Sequence, residues 1–157
     1  MTGRHNVHGT GIVLDGAGLM LRGPSGAGKS LLALALLDQW EARGREASLV
    51  ADDRIDLDVT DDGIVMHAPP RIAGMIELRG RGIIRRPYTD GVRLDLVVDL
   101  VPTLERMPEA AAFTTELYGR ALPCCPVPHA GIVGLGHQLL LVSEALRGFA
   151  HSPPRLR

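Results

Sequence analysis

Aromatic residues, cysteines and excess charge are all scarce in this chain of 157 residues. Aromatics make up 3% and the net charge is −1, so the stacking side chains and basic excess of a nucleic-acid-binding protein are missing. The two cysteines, Cys124 and Cys125, are adjacent, and because disulfide geometry rarely joins neighbours we expect free thiols. No apolar run is long enough to span a membrane, and the first residues lack the apolar segment of a secretory signal. We therefore expect a cytoplasmic protein whose partners are neither nucleic acid nor membrane.

Apolar residues, by contrast, make up 45% of the chain, which is typical of an ordered globular protein. We expect one domain over residues 1–149 and a disordered tail over residues 150–157. Strand-like runs outnumber helical ones, and two pairs turn at the Asp-Gly dipeptides 15–16 and 62–63, which favour hairpins. The pattern predicts an α/β fold rich in β-hairpins. Strands are predicted over residues 9–15, 18–23, 47–53, 54–68 and 92–101, a strand or loop over 120–131, and helices over 29–44 and 132–149.

The stretch GPSGAGKS, residues 23–30, matches the phosphate-loop pattern G-x-x-x-x-G-K-[ST] in full. It follows a strand-like run and precedes a helical run, the context in which backbone N–H groups and a helix N-terminus converge on a phosphate. In such loops the lysine, here Lys29, reaches the β- and γ-phosphates, and the hydroxyl, here Ser30, ligates Mg²⁺. The pattern predicts a nucleotide phosphate site formed by Gly23, Pro24, Ser25, Gly26, Ala27, Gly28, Lys29 and Ser30.

A phosphoryl-transfer site also needs a carboxylate near the loop, and two apolar strands supply candidates. Asp52 and Asp53 follow the run SLVA, next to the phosphate loop if the two strands lie side by side and parallel. Asp99 lies inside the run LDLVVDL, and a carboxylate in mid-strand more often faces solvent or forms a structural ion pair. The doublet is therefore favoured as the source of a general base.

Four motifs follow one another along the chain: HG at residues 8–9, GPSGAGKS at 23–30, LVADD at 49–53 and ELRGRGII at 77–84. Their order and approximate spacing resemble the catalytic domain of the HPr kinase/phosphorylase family, in its short form, over most of the chain. The resemblance implies a phosphoenolpyruvate-carboxykinase-like α/β fold with a mixed sheet and β-hairpins. It also implies a hexameric enzyme that uses ATP and Mg²⁺ to phosphorylate a serine of HPr, a small phosphocarrier protein.

The resemblance further implies roles for individual residues. His8 corresponds to an active-site histidine of the family, and Lys29 to the lysine of its phosphate loop. Asp53 corresponds to the residue that accepts the proton of the acceptor serine. The family's metal-associated positions correspond to Ser30 and Glu77, and an active-site arginine corresponds to Arg106, in the segment LERMP.

Three features depart from the family pattern. Leu31 follows the loop serine where the family usually has an acidic residue, and the connection from the helix to LVADD is longer. The segment PVPHAGI, residues 126–132, stands where the family has PVRPGRN, a segment tied to dephosphorylation, so both arginines are missing. Because arginine is the natural holder of inorganic phosphate, we expect a kinase with weak or absent phosphorylase activity.

Two other functions share the phosphate loop and stay open. A small-molecule kinase would phosphorylate a metabolite without any protein acceptor. A nucleotide-binding regulatory module would bind ATP and signal by its conformation, and its output would survive the substitution Asp53→Asn. A purely structural protein is disfavoured, because it has no use for Lys29 and Ser30 in this setting.

Overall fold

The computed structural model describes residues 2–150, so residues 151–157 of the predicted tail lie outside the described part of the chain. Within that part there are eleven strands and two α-helices, with short 3-10 turns at Pro70–Ile72 and Ala110–Phe113. Helix α1 spans Lys29–Ala42, and helix α2 spans Leu135–Ala150. None of the described helices is long and apolar enough to cross a membrane. The strands are β1 (Gly3–His8), β2 (Thr10–Leu14), β3 (Ala17–Arg22), β4 (Ala47–Ala51), β5 (Arg54–Thr60), β6 (Gly63–His67), β7 (Met75–Leu78), β8 (Gly82–Arg85), β9 (Val92–Val101), β10 (Thr114–Leu117) and β11 (Arg120–Pro128).

The two hairpins predicted from Asp-Gly dipeptides are present. Between β2 and β3, Asp15 and Gly16 have φ angles of 51° and 78°, as the type I′ turn of a two-residue hairpin requires. Between β5 and β6 the chain reverses so that Thr60 pairs with Gly63. The first reversal falls on the predicted dipeptide, whereas the second falls on Asp61 and Asp62, one position earlier than predicted, because Gly63 already belongs to β6.

Both predicted helices are present, with shifted ends. Helix α1 ends at Ala42, two residues before the predicted limit at Gly44. Gly44 has a left-handed φ of 69°, and its N–H donates to Glu41 O, which ends the helix. Helix α2 begins at Leu135, three residues later than predicted. Ile132, the predicted first residue, lies instead in a turn in which its N–H donates to His129 O at 3.0 Å. Ala150, predicted to begin the tail, is the last residue of α2.

The sequence does not predict β1, β7, β8 or β10 as strands. β1 has the sequence GRHNVH, with Val7 as its only aliphatic side chain, and it is held by pairing along its whole length with β5. β7 and β8 pair with each other where the glycines predict a loop, and β10 pairs with β11. Residues 120–131, predicted as strand or loop, contain β11, which runs parallel to β9. Long-range pairing, which no local pattern reveals, decides these strands.

Nine strands form one mixed sheet in the order β1-β5-β6-β9-β3-β2-β4, with β11 beside β9 and β10 beside β11. β9 is parallel to β3 on one edge, and on the other edge it pairs with β6 near its start and with β11 near its end. Gly18 permits the close approach of β3 to β9, because a Cβ at this position would lie 2.0 Å from Arg93 O. The predicted α/β fold with a mixed sheet and hairpins is confirmed.

Alternate residues of the central strands enter two hydrophobic clusters on opposite faces of the sheet. Leu19 and Leu21 of β3 belong to the cluster that also contains the buried side chains of α1, whereas Met20 between them belongs to the other. Ile55 and Leu57 of β5 complete that second cluster and are fully buried. The central strands are thus buried on both faces, which explains their nearly continuous apolar sequences.

The topology brings the phosphate loop and the aspartate doublet to the same end of the sheet, at the C-terminal ends of β3 and β4. β3 and β4 are both antiparallel to β2 and hence parallel to each other. The loop after β3 and the doublet after β4 therefore emerge at the same end of the sheet. The two strands are parallel, but they are not adjacent, because β2 lies between them.

Asp99, the other candidate carboxylate, forms a structural ion pair. Two nitrogens of the Arg22 guanidinium donate to its carboxylate, and Cys124 Sγ donates to it at 3.2 Å. Burial alone would raise the pKa of Asp99, but these hydrogen bonds hold it below its ordinary value. Cys124 and Cys125 are free thiols, as predicted, and burial raises the pKa of each to about 12.

Candidate functional site

A cavity of about 560 Å³ opens where the phosphate loop, the aspartate doublet and the β7–β8 hairpin meet. A smaller cavity of about 310 Å³ lies at the far end of α1, and none of the predicted site residues lines it. The larger cavity is therefore the candidate site. The predicted site residues that line it are His8, Ser25, Gly26, Gly28, Lys29, Ser30, Asp53 and Glu77.

The phosphate loop leads from β3 into α1, as its pattern predicts. Gly28 has a φ of 97°, a conformation that favours glycine, and a Cβ there would lie 2.9 Å from the Cβ of Ala130. Lys29 Nζ spans the loop, donating to Gly23 O at 2.8 Å and to Pro24 O at 3.0 Å. The loop, its lysine and the positive end of α1 together form an anion-binding surface.

Burial and the two aspartates have opposite effects on the pKa of Lys29. Burial lowers the pKa of Lys29 below its ordinary value, while the charges of Asp53 and Asp52 pull it upward. The ammonium group has therefore lost part of its hydration. A phosphate group that replaces the lost water gives it a charge-assisted partner.

Asp52, the first residue of the doublet, is the hydrogen-bond centre of the site. It is 7% exposed, and its Oδ1 accepts hydrogen bonds from Thr10 Oγ1 and Ser30 Oγ, both at 2.8 Å. Its Oδ2 accepts a hydrogen bond from the backbone N–H of Glu77 at 3.1 Å. One carboxylate thus ties together β2, α1 and β7. The Ser30 proton points to Asp52, which leaves the lone pairs of that hydroxyl free.

Asp53 has the opposite surroundings. Its side chain is 72% exposed, and its Oδ1 lies 3.4 Å from His8 Nδ1. Its backbone has a φ of 68°, a left-handed conformation that aspartate tolerates better than most residues. The N–H of Gly9 donates to its carbonyl at 3.0 Å and holds the turn. The doublet therefore buries one carboxylate and presents the other to the cavity.

Ser30 and Glu77, the predicted metal-associated residues, both line the cavity. Glu77 is exposed, and its backbone amide rather than its carboxylate contacts Asp52. Among residues 2–150, no group of three or more His, Cys, Asp or Glu side chains is arranged to hold a metal ion. Mg²⁺ bound to a nucleotide needs no such cage, because it takes one or two protein oxygens together with water and phosphate oxygens. The free lone pairs of the Ser30 hydroxyl fit this role.

Some predicted residues do not line the cavity. Arg106 is exposed in the loop after β9, outside the cavity, and its assignment as an active-site residue stays a prediction. Gly23, Pro24 and Ala27 belong to the phosphate loop but do not line the cavity. Leu31, which replaces an expected acidic residue, does line it and is 49% exposed.

Thr10 and Ala130 contribute to the site without being singled out from the sequence, and Asp52 was named there only as a member of the aspartate doublet. Thr10 is fully buried and bonds to Asp52. Ala130 belongs to the divergent segment PVPHAGI, and its N–H donates to Ala27 O in the phosphate loop at 3.1 Å. For Asp52 the available signal was its place in the doublet at the end of an apolar strand. No sequence pattern distinguishes which of the two aspartates is buried.

The chain is similar to known proteins along most of its length. The profile of the family described as HPr Serine kinase C-terminal domain matches residues 1–116. The HPr kinase/phosphorylase of Lacticaseibacillus casei (strain BL23) is 33% identical over 153 residues, which cover 90% of this chain and 45% of that protein. The HPr kinase/phosphorylase of Enterococcus faecalis is 43% identical over 82 residues, which cover 52% of this chain and 24% of that protein. The chain thus spans less than half the length of these two relatives.

A solved structure shares the fold. It is described as the Hpr(Ser) kinase/phosphatase from Coxiella burnetii, with a TM-score of 0.72 and 25% sequence identity. The similarity covers 93% of this chain and 90% of that chain. The mixed sheet, the phosphate loop and the two helices therefore follow an architecture that is already known.

Proposed function

This chain belongs to the HPr serine kinase C-terminal domain family, and from that premise we propose that it transfers the γ-phosphoryl group of ATP to a serine of an HPr-type phosphocarrier protein. The observation that carries the proposal is that the two aspartates of the doublet have different surroundings. Asp52 is buried and bonded to Ser30 of the phosphate loop, whereas Asp53 is 72% exposed in the same cavity. A carboxylate that is free to take a proton beside a phosphate site suits transfer to a hydroxyl group.

In the proposed reaction the acceptor serine enters the cavity beside Asp53. Its oxygen forms a bond to the γ-phosphorus as the bond from phosphorus to the leaving ADP oxygen breaks, and Asp53 takes the hydroxyl proton. His8 Nδ1, 3.4 Å from Asp53 Oδ1, orients the carboxylate. Lys29 balances the negative charge of the transferring group.

Ser30 and Glu77 are the residues that would hold Mg²⁺ in this scheme. When bound, the ion neutralises charge on the phosphate oxygens of ATP. Asp52 keeps the Ser30 hydroxyl in the orientation that this contact requires, through the hydrogen bond at 2.8 Å. Asp52 is therefore a positioning residue, since it acts through Ser30.

The test is a transfer assay with labelled ATP, purified HPr and an HPr variant whose acceptor serine is alanine. Asp53→Asn should keep ATP binding and lose transfer by about two to four orders of magnitude, the range expected for a general base. Lys29→Ala should weaken both ATP binding and phosphoryl transfer. Asp61→Asn, in the exposed β5–β6 turn, is the matched control and should behave as the wild type.

Three results would contradict the proposal. Near-normal transfer by Asp53→Asn would remove the base from the scheme. An output that survives this substitution without transfer would favour the regulatory module. Label found on a metabolite but never on HPr would favour the small-molecule kinase.

We propose further that the enzyme has weak or absent phosphorylase activity. The supporting observation is the position of the segment PVPHAGI, residues 126–132, which contains no arginine. Its Ala130 lines the cavity and bonds to the phosphate loop, so the segment lies beside the phosphate site without offering a guanidinium. Serine-phosphorylated HPr incubated with millimolar phosphate should release little pyrophosphate. Robust release would refute this.

The remaining expectations concern assembly and location. We propose a cytoplasmic homo-oligomer, a hexamer by resemblance to the family, acting on a cytoplasmic HPr-type protein. Light scattering coupled to size exclusion measures the mass of the assembly directly. A monomer at all working concentrations would contradict the hexamer and leave the catalytic proposal intact.

A further inference from the structure

Gln138 is a buried polar residue that the proposed reaction does not use. Four polar or charged side chains are buried within the described part of the chain, and three of them, Thr10, Lys29 and Asp52, line the cavity. The fourth, Gln138, is 2% exposed in the first turn of α2 and does not line the cavity. Its side-chain Nε2 donates to Pro128 O at 2.8 Å. A buried amide costs free energy unless it is hydrogen-bonded, so this bond fixes the two groups to each other.

The acceptor of this bond begins a short segment, residues 128–130 at the end of β11, which we call the strap. The N–H of His129 donates to a carbonyl oxygen of β9 at 2.9 Å, which fixes the middle of the strap. The N–H of Ala130 donates to Ala27 O in the phosphate loop at 3.1 Å. The strap therefore connects the amide of Gln138 to the phosphate loop.

The bond from Ala130 sets the direction of one peptide group in the phosphate loop. The peptide between Ala27 and Gly28 is trans, so its carbonyl oxygen and the N–H of Gly28 point in opposite directions. Because Ala27 O is turned toward the strap, the Gly28 N–H is turned away from it. Gly28 directly precedes α1 and lines the cavity, and the first N–H groups of a helix have no partner within the helix. Such N–H groups are the ones that bind phosphate.

The phosphate loop has little room to move independently of these supports. A Cβ on Gly28 would lie 2.9 Å from the Cβ of Ala130 in the strap. At the start of the loop, a Cβ on Gly23 would lie 3.0 Å from the Cβ of Leu100 in β9. Because both ends of the loop are in close contact with their supports, a displaced strap displaces the loop.

We propose that Gln138 is a positioning residue for nucleotide binding, because it holds the strap and the strap holds the peptide of Ala27 and Gly28 in the direction that meets the phosphates. Gln138 acts from outside the cavity and touches neither the nucleotide nor the acceptor protein. The proposal rests on the proposed function for the identity of the nucleotide. It concerns the binding of ATP, whereas Asp53 concerns the transfer of its phosphoryl group.

The test measures ATP binding to the full chain by calorimetry, without HPr. Gln138→Met removes the amide and keeps an unbranched side chain of similar length. Val142→Ala is the matched control, because Val142 is fully buried one turn further along α2, in the core cluster. Its truncation weakens the packing of the same helix and leaves every hydrogen bond of the strap in place.

Gln138→Met should weaken ATP binding by about fivefold to tenfold, the effect expected for one hydrogen bond, and Val142→Ala by less than about twofold. In the transfer assay KM for ATP should rise by the same factor, while kcat at saturating ATP stays within about twofold of the wild type. Amide hydrogen exchange, followed by NMR, should be faster at Ala130 in Gln138→Met and unchanged there in the control. If Gln138→Met does not fold, Gln138→Asn keeps the amide but shortens its reach by one carbon, and the same measurements apply.

Two results would overturn the positioning role of Gln138. The first is an ATP affinity in Gln138→Met equal to that of the wild type. The second is an equal loss of affinity in Gln138→Met and Val142→Ala, since that would be the effect of a loosened helix alone. A wild type that binds ATP but transfers no phosphate to HPr would refute the proposed function, and the expected loss of ATP affinity in Gln138→Met would still support the role of Gln138.

Discussion

The hydrogen bond from Thr10 to Asp52 gives a sharp prediction about stability. Thr10 is fully buried, and its Oγ1 donates to the carboxylate Oδ1 at 2.8 Å. Valine is β-branched like threonine and has nearly the same shape, so Thr10→Val removes this donor without leaving a cavity. Asp52 then keeps two donors, the Ser30 hydroxyl and the Glu77 amide. The substitution therefore isolates one hydrogen bond to a buried carboxylate.

The expected loss follows from the charge and burial of the acceptor. Hydrogen bonds to charged groups contribute about 1.5–3 kcal/mol, so Thr10→Val should lower the free energy of unfolding by about 2 kcal/mol. With an m-value of about 2 kcal/mol/M, the urea midpoint should fall by about 1 M at unchanged slope. Thr10→Ser keeps the hydroxyl and loses one buried methyl group, so it should cost only about 1 kcal/mol.

Thr89→Val is the matched control. Thr89 also has a hydroxyl bond, at 2.7 Å to Ser48 Oγ, but this pair is exposed. Its loss should change stability by no more than about 0.5 kcal/mol. The reasoning is refuted if Thr10→Val is as stable as the wild type, or if Thr10→Ser is destabilised as much as Thr10→Val.

Three further predictions concern acid stability, thiol reactivity and the phosphate loop. Asp99 has a folded-state pKa below its ordinary value of 3.8, so the stability it adds is present above about pH 4 and is lost on further acidification. The destabilisation by Asp99→Asn should therefore be full at neutral pH and shrink in strong acid; equal urea shifts at both would contradict this. Cys124 and Cys125, with pKa values raised to about 12, should resist iodoacetamide in the native protein and react only after unfolding, as mass spectrometry will show. Gly28→Ala should weaken ATP binding in calorimetry, because the new Cβ would lie 2.9 Å from that of Ala130. Adding Ala130→Gly should recover part of the loss, and no recovery would mean that the φ of 97°, rather than the contact, is responsible.

Features decided by a few consecutive residues were predicted correctly. The phosphate loop is a local pattern between a strand and a helix, and the hairpin at Asp15-Gly16 depends only on the φ preferences of two residues. Asp99, within an apolar strand, was expected to face solvent or to form a structural ion pair, and Arg22 provides a partner for the second of these. The prediction of free cysteines follows from the same kind of local geometry.

Features that depend on distant partners were missed. β1 has no apolar alternation and exists because β5 pairs with it, while the glycine-broken segment around residues 79–82 hides a hairpin held by its buried face. The sequence left open whether β4 lies beside β3, and β2 lies between them, since strand order is set by packing across the whole sheet. Arg106, assigned by resemblance, lies outside the cavity, and its role in the active site stays a prediction.

The sequence by itself determined that a phosphate-binding loop precedes a helix, and that two aspartates end an apolar strand. It also determined, through four motifs in one order, the family to which the chain belongs. Only the tertiary structure decided that Asp52 is buried against Thr10 and Ser30 while Asp53 faces the cavity. The physical reason is that a residue's neighbours in the chain do not tell which side of a turn will be covered. Here the covering elements are β2, α1 and β7, whose residues lie far from the doublet in sequence.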